Sequence, residues 1–413
     1  MTETLQKSLN KSILEDKKIS IAIMSSFVIL TIQYLILIYF NLIGTFNGNR
    51  IQILSKIIVG LFYIIVLPTV LKRNKFKFVI AYFISIFIFL LNYIFFRENW
   101  VYLKTIIFPF FFTSLPSLIY SYSINDWNVL KDVMKKTSLI VFIVGFIIGV
   151  LVFSNRASVG TYSMSLSYYM LLPTIVYMDK IIEKFNFKSL IVVLISLLII
   201  LAVGSRGAIM CIGVFIILKF ITTKKKLNFK TILMYLIIIA LIITFLLFLD
   251  TILENLYNFL LRFGIHSRSI QLFLQDDLHL SGRDYLYKRM VDETKANPLF
   301  GIGLAGDRAI MNGYVHNLIL ELIGNFGLIV GVLIITFLGV ITFKVLFSKN
   351  KKVSGFMAIW FCIGVVHLMV SSSYLIDFKF WIFLGLSLRA TFDKNHVIYK
   401  KNNVKFYKEQ DYE

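Results

Sequence analysis

Over 413 residues the chain is 58% hydrophobic, with 43 Lys and Arg against 22 Asp and Glu and a formal net charge of +21; its mean hydropathy is +0.81. The apolar share exceeds that of an ordinary globular domain. Apolar runs of about 20 residues recur from end to end, which excludes a soluble fold and predicts an all-α polytopic membrane protein. The alternating apolar and polar pattern of barrel strands is absent.

The first run, "ISIAIMSSFVILTIQYLILIYF" over 19–40, is too long for a signal-peptide core and lacks a small-residue cleavage site. It reads as a retained span. Further spans are predicted over 51–71, 78–96, 101–120, 137–154, 161–178, 189–203, 207–221, 231–250, 316–343, 354–372 and 374–391, about 12 in all, within one membrane domain covering 1–413. Alternate connections, among them "KRNKFK", "DKIIEKFNFK" and "FKVLFSKNKK", together with both chain ends, hold most of the Lys and Arg. The positive-inside rule places these connections and both termini in the cytoplasm. The excess charge is thus a topology signal, and no nucleic-acid partner is expected. Cys211 and Cys362 both sit in apolar runs, which argues against a disulfide framework or a cysteine-rich metal site. No internal repeat of the kind that marks inverted-repeat transporters is evident.

Two places break the regular pattern. The stretch 189–221 is too long for one span and short for two. A turn at "GSRG" gives two short helices meeting on the outer side with Arg206 near the tip. A guanidinium held below the membrane surface costs at least ~2.5 kcal/mol if unpaired, so Arg206 seeks an anion, and its fork suits phosphate. The alternative is an arginine snorkelling to lipid headgroups. The second break, 251–315, is the one long connection, a large loop predicted outside between spans 9 and 10.

Within that loop, "SGRDYLYKRMVDETKANPLFGIG" predicts a helix from an N-cap at Ser281 to Asn297-Pro298. Arg283, Tyr287 and Met290 then share one face. A helix lying on the bilayer, with Arg283, Lys288 and Arg289 on lipid phosphates, reads equally well from this segment alone. "GIGLAG" lacks both a preceding Rossmann strand and the P-loop Lys-Ser/Thr, so nucleotide binding is not expected. "QDD" at 275–277 reads as a solvated loop. His266 and His279 lie in polar surroundings, and His367, inside a predicted span, reads as a hydrogen-bonded packing residue.

"GYVHNLILELIGNFGLIVG" over 313–331 places His316 and Asn317 at the mouth of a predicted span. Asn317 suits a helix cap. An imidazole at His316 titrates near neutral pH and can accept a proton from a hydroxyl at the membrane surface.

At these residues the chain resembles the O-antigen ligase and polysaccharide polymerase superfamily of integral membrane glycosyltransferases. The family's ligase pattern is His, then Asn, Ser or Gln, nine residues, Gly, two residues, then Gly, Thr or Val. Here it is complete: His316, Asn317, Leu318 to Phe326, Gly327, Leu328, Ile329, Val330. "GSRGAIM" and "SGRDYLYKRM…NPLFGIG" also resemble family segments, in the expected order, so the likeness covers roughly 200–345 by motif. It implies a bacterial cytoplasmic (inner) membrane enzyme with an extracytoplasmic active site and two substrates, a polyprenyl-diphosphate-linked oligosaccharide donor and a glycan acceptor. It further implies no cofactor and no metal. By the resemblance His316 is the base, Arg206 and Arg283 stabilise the diphosphate, and Asn317, Tyr287 and Arg289 contact substrate. Polymerisation of repeat units is the expected reaction. The alternatives are ligation of a finished glycan to lipid A core or protein, and a lipid-linked glycan flippase or transporter.

Overall fold

The structure is a computed structural model that describes residues 2–153, 164–203, 205–222, 249–262, 264, 270 and 283–393. Its elements among these residues are all helical. Five helices are long and apolar enough to cross a membrane: Gln6–Tyr39, Phe46–Phe95, Arg97–Tyr122, Trp127–Val152 and Leu318–Leu346. The chain is therefore built as a multi-pass membrane protein. The predicted run at 231–250 lies mostly outside the described residues.

The chain divides into two compact units, one formed by Met1–Ile29, Gln52–Thr137 and Gly282–Glu413, the other by Leu30–Ile51 and Ser138–Ser281. Helix α1 (Thr2–Tyr39) contributes to both. Helix α2 (Phe46–Phe95), in the first unit from Gln52 onward, carries two predicted spans on one helix of 50 residues. Its break is at Asn74 (φ −144, ψ 41), inside "KRNKFK". Side chains there take over from the interrupted backbone ladder. Asn74 donates to the Ser123 hydroxyl (2.9 Å), and Arg73 donates to the Ser123 carbonyl (2.9 Å) while pairing with Glu15 (2.9 Å) and Asp16. Asp16 is buried, and it also accepts the backbone N–H groups of Asn125 and Asp126 (3.0 Å each). A buried carboxylate is tolerable only when it is paired and hydrogen-bonded in this way.

Helix α3 (Trp100–Pro109) passes through a wide π turn, Phe110–Ser114, into α4 (Leu115–Tyr122), and α5 (Trp127–Phe153) follows. The second unit contains α6 (Met164–Glu183), α7 (Phe187–Val203), α8 (Arg206–Thr222) and α9 (Leu249–Leu261). There Asp179 on α6 forms a buried ion pair with Lys219 in the last turn of α8, the helix end that favours a cation. Back in the first unit come α10 (Arg283–Ala296), α11 (Gly306–Met311), α12 (Leu318–Leu346), α13 (Lys351–Phe361) and α14 (Phe378–Phe392).

Candidate functional site

The site is built where the loop between α10 and α12 replaces part of a helix. Asn317 is extended (φ −149, ψ 115) and caps α12, its side-chain oxygen accepting from the N–H groups of Ile319 (3.0 Å) and Leu320 (3.1 Å). Beyond nine intervening residues, Gly327 (φ 75, ψ 174) breaks the helix in a backbone region open essentially to glycine alone. An unbroken helix would bond the Leu328 N–H to the Gly324 carbonyl. Instead Leu328 donates to the Pro298 carbonyl, and the Gly324 carbonyl accepts from Ile302, both at 2.7 Å. The loop thus satisfies both groups that the break releases, as an apolar setting demands. A Cβ on Gly327 would lie 2.3 Å from the Leu299 oxygen, and one on Gly301 would lie 2.2 Å from the Gly324 oxygen. Both glycines are therefore required by close backbone approach.

Polar side chains of the same unit tether this loop. Asn92 accepts the Leu304 N–H (2.6 Å), Asn99 donates to the Ile302 carbonyl (2.8 Å), and the Tyr102 hydroxyl donates to Asn312 (2.8 Å). From α10, Met290 packs with Ile302 and Val315, and Tyr287 leans on that cluster.

Around this frame sits a buried set of charges. Arg308, 8% exposed, reaches Asp307 (3.0 Å) and Glu321 (3.8 Å). Asp307, 0% exposed, also accepts the Val315 N–H at 3.2 Å, and burial raises its carboxyl above the usual range. Glu321, 1% exposed, accepts the Ser373 hydroxyl and the Tyr374 N–H (3.3 Å). The Arg308 guanidinium lies 5.6 Å from the centre of the Tyr314 ring, and the His316 ring lies 4.2 Å from the same centre. Burial raises the Tyr314 hydroxyl above its ordinary value, opposed by the Arg308 charge.

His316 has a left-handed backbone (φ 58), unusual for a residue with a side chain. Burial, and then the charge of Arg283, push its imidazole down to about 4. The ring is therefore neutral at pH 7. Two buried nitrogens here, His316 Nδ1 and Arg308 Nη2, have no hydrogen-bond partner among the described residues. Close by in the same unit, Asp377 bridges His367 (3.1 Å) and Lys379 (3.2 Å), and its charge is felt at Tyr314.

The residues singled out from the sequence fall as follows. Arg283 is the first residue of α10, and its charge acts on both His316 and Tyr314. Tyr287 is half-buried against the Met290 cluster. Arg289 is exposed and pairs with Glu293 one turn on, at 2.9 Å. Asn317 is the cap. Arg206, half-buried, is the first residue of α8 in the second unit. His266, His279, residues 275–277 and Ser281 lie outside the described residues. His367 is hydrogen-bonded, within a charged cluster. Both cysteines are buried, and neither is in a disulfide. Among the described residues, no group of three or more His, Cys, Asp or Glu is placed to hold a metal ion.

Sequence reasoning passed over Asp307, Arg308, Tyr314 and Glu321. One signal was present: Glu321 is the only charged residue within the predicted span 316–343, and an ionisable residue inside an apolar span marks a candidate site.

Residues 191–335 match the family described as O-antigen ligase, which supports the resemblance to the O-antigen ligase and polymerase superfamily. No curated protein and no solved structure shows significant similarity to the chain.

Proposed function

We propose that this chain, which carries an O-antigen ligase family segment over 191–335, is a membrane polysaccharide polymerase. It transfers polyprenyl-diphosphate-linked oligosaccharide repeat units onto an acceptor-sugar hydroxyl at the outer face of the bacterial cytoplasmic membrane. The products are capsule, exopolysaccharide or O-antigen chains. In this reading both termini are cytoplasmic and 251–315 lies outside, following the Lys and Arg asymmetry.

The observation that carries the reading is His316: a neutral imidazole, strained in its backbone, at the mouth of α12 and within the field of Arg283. In the reaction the acceptor oxygen attacks the anomeric carbon of the donor while the bond from that carbon to the diphosphate oxygen breaks. The acceptor proton passes to His316 and from there to water. Negative charge collects on the departing diphosphate. Arg283 has no carboxylate partner among the described residues and opens a helix whose N-terminus also favours anions. An anion on Arg283 offsets the charge that depresses the His316 pKa, so donor binding raises the proton affinity of the base. Arg206, also the first residue of its helix, is proposed as a phosphate-binding guanidinium because its planar fork matches phosphate oxygens. Arg289 and Tyr287 are secondary substrate contacts in this scheme, and Asn317 holds the turn that orients His316.

A ligase that passes a finished glycan to lipid A core or protein is the second reading. Two observations favour it: the matched family is described as O-antigen ligase, and the motif from His316 to Val330 is complete. The test is the reconstituted protein with purified polyprenyl-linked repeat units. A ladder of lengthening glycan supports polymerase, and a single transfer that appears only when core oligosaccharide is added supports ligase. A protein that moves the donor across vesicles without transferring sugar would overturn both in favour of a transporter.

A further inference from the structure

The two unpartnered nitrogens beside Tyr314 do not belong to the same chemistry as Arg283. Arg308 sits between two carboxylates, Asp307 at 3.0 Å and Glu321 at 3.8 Å, so its cluster carries no spare positive charge. Such a guanidinium is poorly suited to a diphosphate, because the buried acidic groups beside it already engage its charge. What it has left is the Nη2 amino group, buried and without a partner among the described residues. A buried donor left unsatisfied is unfavourable, and more so when it is charged. The imidazole of His316, neutral at pH 7, has its own buried and unpartnered nitrogen, Nδ1. When the proton of the neutral ring sits on Nε2, Nδ1 is an acceptor. A donor and an acceptor therefore flank one aromatic ring, with the Arg308 guanidinium carbon at 5.6 Å and the His316 ring at 4.2 Å from its centre.

We propose that Arg308 and His316 form the acceptor-sugar subsite, which takes neutral sugar hydroxyls, and that the half-buried Tyr314 ring is its cover. A hydroxyl both donates and accepts, and so it complements this pair in a way that phosphate, an acceptor only, does not. The attacking hydroxyl donates to His316 Nδ1, while it or a neighbouring hydroxyl accepts from Arg308 Nη2. Tyr314 packs on both groups and must turn aside for the sugar to enter, which relieves the two unpaired nitrogens. Asp307 and Glu321 hold Arg308 in place, and Ser373 and the Tyr374 N–H hold Glu321. Arg308 and Arg283 are thereby divided by charge, the compensated one for the acceptor and the uncompensated one for the donor phosphates. The subsite rests on the transferase reading, so its test is a binding measurement that needs no turnover.

The probes are methyl β-D-glucopyranoside, methyl β-D-galactopyranoside and methyl N-acetyl-β-D-glucosaminide by saturation-transfer NMR, and sodium diphosphate by calorimetry, on the full chain in nanodiscs. Wild type is expected to bind at least one neutral glycoside. R308K keeps the charge that Asp307 and Glu321 require but loses the Nη2 donor. It should weaken glycoside binding at least tenfold and leave diphosphate binding and the melting temperature unchanged, whereas R283Q should do the reverse. If R308K unfolds, the double variant R308M/D307N removes the closer ion pair from both sides, leaves Glu321 to Ser373 and the Tyr374 N–H, and is expected to show the same loss. Glycoside binding unaffected by Arg308, diphosphate binding lost in R308K, or no glycoside binding by wild type would each overturn the subsite. Loss of sugar transfer in a protein that still binds glycosides through Arg308 would overturn the transferase reading instead.

Discussion

His316 pays for its position in backbone strain. A left-handed conformation costs roughly 1–2 kcal/mol for a residue with a Cβ, a penalty glycine avoids. H316G and H316A should both lose transfer, yet the glycine variant should be about 1 kcal/mol more stable than the alanine variant in thermal unfolding. Equal stabilities would mean that the turn carries no strain. The acid limb of the pH profile gives a second check. The folded, donor-free ring titrates near 4, below the ordinary 6.5, so kcat/KM, which reports the free enzyme, should stay level from pH 7 to pH 5. The sign for stability follows: between about 6.5 and 4 the unfolded chain binds a proton that the folded chain refuses, so acid weakens the fold across that window. In a histidine-labelled NMR titration, R283Q should move the midpoint of His316 upward while leaving it below 6.5, because burial is the larger cause and remains. A midpoint that does not move would remove Arg283 from the site.

Between helices, the decisive feature is the exchange of hydrogen bonds at Gly327. The sequence pattern contained this glycine at its fixed spacing from His316, and it contained "GIG" as a glycine-rich stretch. Why they are needed was not legible, because the reason is a backbone segment approaching from the preceding loop, and no local pattern records which carbonyl fills a broken helix. The cap at Asn317 was legible, being a property of neighbours in sequence. So was the face shared by Tyr287 and Met290. The cluster of Asp307, Arg308 and Glu321 was not, since its members are brought together by the loop's path and not by any helical spacing. G327A should be among the costliest substitutions in the chain: strain of about 1–3 kcal/mol comes with a Cβ 2.3 Å from the Leu299 oxygen. The expected result is loss of monodisperse protein in detergent. A G327A protein with wild-type melting would show that the loop does not dock there. Asn99→Leu is the milder probe of the same docking, leaving the buried Ile302 carbonyl unpaired at about 1–3 kcal/mol.

At the scale of the whole chain, apolar runs foretold helices well, because in lipid every backbone group must be satisfied within its own segment. They foretold boundaries less well. The runs at 51–71 and 78–96 lie on one helix whose only departure is Asn74, since side chains of Arg73 and Asn74 absorb the break without a loop. The proposed topology is open to a direct test. Cys211 and Cys362 are buried and should stay silent toward an impermeant maleimide, so K295C, at an exposed position of α10, reports alone. Labelling in intact cells is expected, and protection there with labelling only after lysis would invert the topology and the site with it.

The bonds that hold the site also fix an order of synthesis. As the chain leaves the ribosome, Asn92 and Asn99 are already in place some 200 residues before the loop they will tether. The loop then precedes the gap it fills, Ile302 coming before Gly324 and Pro298 before Leu328. Glu321 comes next, and its hydrogen bonds from Ser373 and Tyr374 lie 52 and 53 residues further on. Until those residues emerge, a buried carboxylate has only Arg308 to answer it, and Arg308 is shared with Asp307. A nascent chain arrested with Ser373 still inside the ribosome should therefore hold an unfinished acidic pocket and be degraded by membrane quality control, while one extended until Ser373 and Tyr374 have emerged should persist.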